Sequence, residues 1–278
     1  MRVTGPHPHP FSRREKGASR ARYARFHLLW APRVGALLFL LAVALPATAA
    51  TVVVERALDG DSVRLTDGRQ LRLIGINTPE FGKDGAPPEP LAREARAALA
   101  EMVNGRTLRI EPGREAHDRY GRLLAHLHTD NGHLVEIELL RRGFGWMVAV
   151  PPNVDHVNAL AAAEAEARTA RRGVWAEPAY DARPAETLVP SDAGFRFVTA
   201  TVRSVDDRRH AYYVELAPRV VMVIPSRAWR EYFAGQTGYG RHPRTLVGRR
   251  VIVRGWFTAR DDGLRVRIGH PAMLTFVN

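Results

Sequence analysis

The sequence predicts a mainly β chain with added helices, of α+β class. A small β-barrel carrying helices is followed by a second small β-barrel of the oligonucleotide-binding (OB) type. Three observations predict it. Short β-rich runs parted by turn residues recur between residues 52 and 128. Apolar residues at offsets of three and four mark helices among and after them. A proline-punctuated break at 177–194 then leads into a second strand-rich segment.

The elements follow in order. Val52–Val54, Ser62–Leu65 and Leu71–Ile74 are strand runs, and Asp67-Gly68 reads as a hairpin turn between the last two. Pro87-Pro88 ends an irregular loop. A helix follows, with Leu91, Ala95, Ala98, Leu99 and Met102 on one face, and Asn104-Gly105 stops it. Thr107–Ile110 and Leu123–His128 are strands, with a turn at Asp130-Asn131-Gly132. Glu136–Arg142 is a short helix ended by Gly143. Residues 156–172 form an alanine-rich helix ended by Gly173, and Trp175 caps the core. Glu177–Gly194, with Pro178, Pro184 and Pro190, reads as a linker. Beyond it, Phe195–Val205, Ala211–Leu216, Val220–Ile224, Arg249–Thr258 and Leu264–Ile268 read as five strands, with a helix at Ser226–Phe233. The expected domains are therefore 50–176 and 195–278, joined by 177–194.

The ends and the composition set bounds. The chain has 278 residues and a formal charge of +12. Residues 1–34 hold eight Arg and Lys against Glu15 alone, a net +7, which leaves +5 for the rest. Net charge is thus weak support for a polyanionic partner. That basic stretch leads into the apolar run Val34–Leu45, shorter than the ~20 residues of a membrane span. Pro46-Ala47-Thr48-Ala49 then places small residues where a signal peptidase reads. Residues 1–49 are expected to be a signal peptide. The mature protein is then periplasmic or secreted, without a stable membrane anchor and as a monomer. The absence of cysteine suits export and excludes thiolate zinc sites and cysteine nucleophiles.

Three segments carry chemistry: Asp59-Gly60-Asp61-Ser62, then Arg72-Leu73-Ile74-Gly75-Ile76-Asn77-Thr78-Pro79-Glu80, then Asp118-Arg119-Tyr120-Gly121-Arg122. Asp61 sits in a turn that Gly60 lets bend sharply. Asn77 sits where a strand runs out before Pro79. Their side-chain oxygens, with a backbone carbonyl, offer a site for a hard cation, and a loop-built site favours Ca2+. Glu80 on a polar loop is a carboxylate able to orient or deprotonate water. Arg72 and Arg122 offer guanidinium groups that match phosphate geometry. Each feature alone is an ordinary turn, loop or surface residue. The order and spacing of the set suit the cutting of a phosphodiester.

In that order and spacing the chain closely resembles the staphylococcal nuclease (thermonuclease) family. The resemblance runs over about residues 51–176 and includes the closing Gly173-Val174-Trp175. It implies a five-stranded OB barrel with three helices and Ca2+-dependent hydrolysis of DNA and RNA. It further implies that Asp61, Asn77 and the Thr78 carbonyl face calcium and that Glu80 acts on water. Arg72 and Arg122 would stabilise the transition state, and Arg119 and Tyr120 would touch a substrate phosphate. The chain departs from the family's best-known members at Asn77, where they have aspartate. One ligand charge is lost, so weaker calcium binding is expected. It departs again at Gly145–Pro151, where those members offer stacking tyrosines and this chain has Ala149. Trp146 nearby reads as a core residue.

Other residues are read as structural. His126, His128 and His133 form no metal set with a recognised spacing. Tyr212, Tyr213, Trp229, Tyr232, Phe233, Trp256 and Phe257 sit among arginines in the second barrel, and packing accounts for most of them. Three function classes stay open on these residues: a calcium-dependent nuclease, a nucleic-acid-binding module with weak or absent catalysis, and a cell-envelope interaction protein in which the second barrel does the essential work.

Overall fold

A computed structural model describes residues 50–82 and 85–277. The predicted signal peptide, residues 1–49, lies outside the described residues. Among the described residues no helix is long and apolar enough to cross a membrane.

The first half contains β1 (Thr51–Ala57), β2 (Ser62–Leu65), β3 (Gln70–Leu73), β4 (Ile76–Asn77), α1 (Ala92–Val103), β5 (Thr107–His117), β6 (Leu123–His128), α2 (Val135–Arg141), β7 (Trp146–Met147) and α3 (Val157–Thr169). Five of these strands close into a barrel in the order β1-β2-β3-β6-β5. The expected five-stranded barrel with three helices is therefore present. Alternation drives it: Val63, Leu65, Leu71, Leu73 and Leu127 are buried inward, while Arg64, Arg72 and Leu124 point the other way and stay partly exposed. Helix α1 buries Ala92, Ala95, Ala98, Leu99 and Val103, so Ala92 and Val103 replace Leu91 and Met102 on the expected face. Gly143 ends α2 with positive φ, whereas α3 stops at Thr169 and turns through Arg171 at φ 49°, two residues before the expected Gly173; the Gly143 and Gly173 backbones touch. A Cβ on Gly173 would lie 2.1 Å from the Gly143 carbonyl oxygen, which accepts from the Val174 N–H at 2.9 Å.

Residues 177–194 are folded onto their neighbours. They make 3₁₀ turns at Pro178–Tyr180, Ala185–Thr187 and Pro190–Asp192. The short strand β8 (Arg183–Pro184) pairs in parallel with β9 (Gly194–Thr201). Tyr180 packs edge-on against Trp146 at 4.6 Å and donates its hydroxyl to the Pro90 carbonyl at 2.6 Å.

The rest comprises β10 (Ser204–Arg208), β11 (Ala211–Ala217), β12 (Val220–Pro225), α4 (Ser226–Ala228) running into a π turn at Trp229–Phe233, β13 (Arg250–Arg260), β14 (Gly263–Arg267) and β15 (Leu274–Phe276). The five runs expected over 195–278 each form strand, and the first, split into β9 and β10, borders both ends of their order β10-β11-β12-β14-β13-β9. One eight-stranded sheet runs in the order β10-β11-β12-β14-β13-β9-β8, with β15 on β13. The first expected strand breaks after Thr201 into β9 and β10. Strands as short as β8 and β15 have no run of their own for a sequence reading to detect. On β9 and β13, Val198, Ala200, Val251, Val253 and Phe257 face this sheet's own core. The opposite face carries Phe195, Phe197, Arg254 and Trp256 and packs against the barrel half. Phe195 stacks on Trp146 at 5.5 Å, and Phe197 meets Trp175 edge-on at 5.7 Å.

Candidate active site

Strand register brings the predicted residues together. β2 pairs with β3 so that Ser62 opposes Arg72, and β3 pairs in parallel with β6 so that Arg72 opposes Leu124. Arg122, two residues before Leu124, therefore lies on the same outer face as Arg72. Asp61 immediately precedes Ser62. Asn77 is held by its pairing with Trp146 between β4 and β7.

Arg72 sits at the centre. Its Nη2 lies 2.8 Å from Asp61 Oδ2 and donates to Asn77 Oδ1 at 3.2 Å. Its Nη1 donates to the carbonyls of Leu73 and Ile76 at 2.8 and 2.9 Å. The same Asp61 Oδ2 accepts the Thr78 N–H at 3.1 Å, and Asp61 Oδ1 accepts from Ser62 Oγ at 3.1 Å. Thr78 thus meets Asp61 through its backbone N–H. Gly60 keeps the turn tight through close approach, and its φ is outside the left-handed region. A Cβ there would lie 2.6 Å from Thr78 Oγ1 and 2.8 Å from Ala95 Cβ.

Arg122 is held by Asp118. Its Nε donates to Asp118 Oδ2 at 2.7 Å, while Asp118 Oδ1 accepts the N–H groups of Arg122 and Tyr120, each at 2.9 Å. Burial opposes charge on Asp118, but these hydrogen bonds outweigh it and hold the carboxyl below its usual range. Gly121, with φ of 79°, makes the turn that allows this clamp. Arg122 Nη1 reaches Ser62 Oγ at 3.5 Å, which ties the third segment to the first. Arg119 donates to the Tyr120 hydroxyl at 2.7 Å and lies 4.8 Å from its ring centre, and Tyr120 is 69% exposed.

Glu80 lies on the loop after Pro79 and is exposed. Its N–H donates to Glu89 Oε2 at 2.8 Å, and its carbonyl accepts the Glu89 N–H at 2.9 Å. Glu89 and Asp118 are the positioning residues that sequence reasoning assigned no role. Asp118 lay inside a recognised segment. Glu89 carried no local signal, because its partner is reached only when the loop closes.

Asp61, Arg72, Asn77, Glu80, Arg119, Tyr120 and Arg122 all line one open cavity of about 1970 Å³. Oxygens of Asp61 and Asn77 converge on a single nitrogen of Arg72, so they also converge on each other. Burial is the main cause raising the Asp61 carboxyl to about 7; Arg72 opposes it, and the charges of Asp59 and Glu80 add to it. A carboxylate in that position is short of positive charge, and an oxygen-only donor set is what a hard cation takes. The residues therefore fit Ca2+. The protein supplies few charged ligands, since among the described residues no group of three or more His, Asp or Glu converges as a metal site. Three histidines are engaged elsewhere. His126 Nδ1 lies 2.9 Å from Glu136 Oε1, and His128 and His156 each lie 2.8 Å from a separate oxygen of Glu111.

Comparison with known proteins finds relatives over less than half of the chain. A family model described as staphylococcal nuclease homologue matches residues 70–177. The chain is 30% identical over 128 residues to a thermonuclease of Staphylococcus hyicus, covering 45% of this chain and 75% of that protein. It is 31% identical over 134 residues to the SPbeta prophage-derived endonuclease YokF of Bacillus subtilis (strain 168), covering 46% and 45% respectively. It is 30% identical over 134 residues to endonuclease YncB of the same organism, covering 46% and 63%. The chain thus spans less than two thirds of the length of either Bacillus protein.

Proposed function

The chain belongs to the family of staphylococcal nuclease homologues, and from that premise we propose that it is a calcium-dependent nuclease that hydrolyses phosphodiester bonds of DNA or RNA. One observation carries the reading: the arginines, the carboxylate and the oxygen pair all line the same cavity.

Asp61 and Asn77, with Thr78, would hold the cation. Bound there, Ca2+ would neutralise charge on the phosphate and polarise its oxygen. Arg122, anchored through Nε by Asp118, presents its remaining donors to the phosphate and stabilises charge that grows as the bond breaks. Arg72 adds a fixed positive charge, its guanidinium held by two carbonyls and two side chains. Glu80 orients the attacking water and takes its proton, with Glu89 pinning the loop that positions it. Arg119 and Tyr120 contact a substrate phosphate at the rim. The signal-peptide reading of residues 1–49 puts this activity in the periplasm or outside the cell. Intact-mass measurement of the exported protein tests it, with cleavage near Ala49 expected.

The deciding experiment is release of acid-soluble nucleotides from DNA and RNA by the folded protein, with calcium and with chelator. Calcium-dependent release is expected. Equal, near-zero release in both sinks the hydrolytic reading. Salt-dependent binding without cleavage at millimolar calcium would favour a binding module instead.

A further inference from the structure

Only two aromatic side chains stand among the exposed large hydrophobic residues of the described chain, Tyr120 and Trp256. Both line the same cavity as Arg72, Glu80 and Arg122. Tyr120 belongs to the catalytic segments. Trp256 belongs to the second sheet, more than a hundred residues away in sequence. It is 42% exposed, although its neighbours Gly255 and Phe257 are buried.

The strand pattern shows why it stands there. Trp256 opposes Phe195 between β13 and β9, and their rings meet edge-on at 5.0 Å. Phe195 in turn stacks on Trp146, which pairs with the candidate ligand Asn77. A continuous aromatic row thus runs from the candidate catalytic site to Trp256. The row's inner members are packed against each other, and Trp256 leaves ring surface open. Arg196 and Arg267 line the same cavity and make no ion pair with any described residue. Arg227 and Glu231, paired at 3.4 Å, lie at its edge. Arg196 Nη1 donates to the Phe195 carbonyl at 2.8 Å, and Arg267 is exposed. An exposed indole beside guanidinium groups that no carboxylate neutralises suits a base and its phosphates. It does not suit an apolar peptide, which would leave the arginines unmatched.

We propose that the second sheet forms a subsite for single-stranded nucleic acid, in which Trp256 stacks on a base and Arg196 and Arg267 hold phosphates beyond the one cut. The proposal rests on the nuclease reading for its polarity: the strand enters the cavity at the catalytic arginines and continues over the second sheet.

The test is binding of fluorescently labelled oligothymidylates of about four and about twelve nucleotides. The full chain carrying Glu80→Gln serves as parent, so that no substrate is consumed. Adding Trp256→Ala is expected to weaken the longer strand by about tenfold, and Trp256→Phe to restore most of that loss. The shorter strand, seated at the catalytic end, should change by less than about twofold. Arg267→Ala should flatten the salt dependence of the longer strand. If Trp256→Ala binds both lengths as its parent does, the subsite is overturned. Cleavage by the unsubstituted chain is measured in parallel. No cleavage, with the Trp256 effect intact, sinks hydrolysis and keeps the subsite. Cleavage without a Trp256 effect sinks the subsite alone.

Discussion

Arg254 of the second sheet donates through Nη1 to both carboxylate oxygens of Glu164 on α3, at 2.7 and 2.6 Å, and both side chains are about nine-tenths buried. Glu164 Oε1 also accepts the Met147 N–H at 2.8 Å, and Arg254 Nη2 donates to the Ala272 carbonyl at 3.0 Å. One ion pair therefore joins the barrel's helix, the strand beside Asn77 and the second sheet. Removing a single partner would strand a buried charge. Arg254→Ala is expected to destabilise the protein by about 3–5 kcal/mol. Replacing both, as in Arg254→Met with Glu164→Gln, should cost less. Urea denaturation of the two variants checks the order.

Arg122→Ala and Glu80→Gln should each lower turnover by about 10²–10³-fold. Thermal stability should change little for Glu80→Gln, which is exposed. Initial rates on DNA at saturating calcium are the measurement, and near-wild-type turnover in both variants would refute the assigned roles.

Asn77→Asp restores a charge beside Asp61 and should tighten apparent calcium binding by on the order of tenfold. The calcium concentration giving half-maximal activity reads this out, with calorimetric titration as an activity-independent check. An unchanged value would place the cation elsewhere.

Gly60→Ala should be poorly tolerated for steric reasons. The new methyl meets Thr78 and Ala95 below contact distance. A loss of about 1–3 kcal/mol is expected from overpacking, with reduced activity because Asp61 must move. A melting temperature equal to wild type would show that the loop yields freely.

His126 provides a pH prediction away from the site. Burial opposes its protonation, but the hydrogen bond and charge of Glu136, with a contribution from Glu111, hold its pKa above the ordinary histidine value. A raised folded pKa means the stabilisation is fully present below about 6.5. It is lost as pH rises through the folded value. Glu136→Gln removes the main raising influence and leaves burial, so His126 should then titrate below its ordinary value. Histidine NMR titrations of both proteins decide this.

Much of the candidate site was legible in sequence because side-chain alternation along a strand is a local property. Arg72 alternates with Leu71 and Leu73, and that alternation alone sends its guanidinium to the outer face. Asp118-Arg119-Tyr120-Gly121-Arg122 folds on itself, so the segment already contained the clamp on Arg122. The second half was less legible. Its strand runs were recognised, but β8 and β15 are too short to show periodicity, and with the split of the first run into β9 and β10 they turn five strands into eight. Of its aromatics, Trp229, Phe233 and Phe257 are core, as packing predicts, whereas Trp256 is exposed in the cavity.

The sequence by itself determined the chemistry on offer: oxygens for a hard cation, a carboxylate for water, guanidinium groups for phosphate, and a barrel to carry them. These follow from side-chain type and from periodicities of a few residues. The tertiary structure alone decided three things: that Glu89 pins Glu80, that Glu164 and Arg254 lock the two halves, and that Trp256 opens onto the same cavity as Arg72 and Arg122. The widest of those relationships joins residues more than a hundred positions apart, and nothing in the local pattern of either partner encodes the other. They form only when the barrel closes and the second sheet packs down on it.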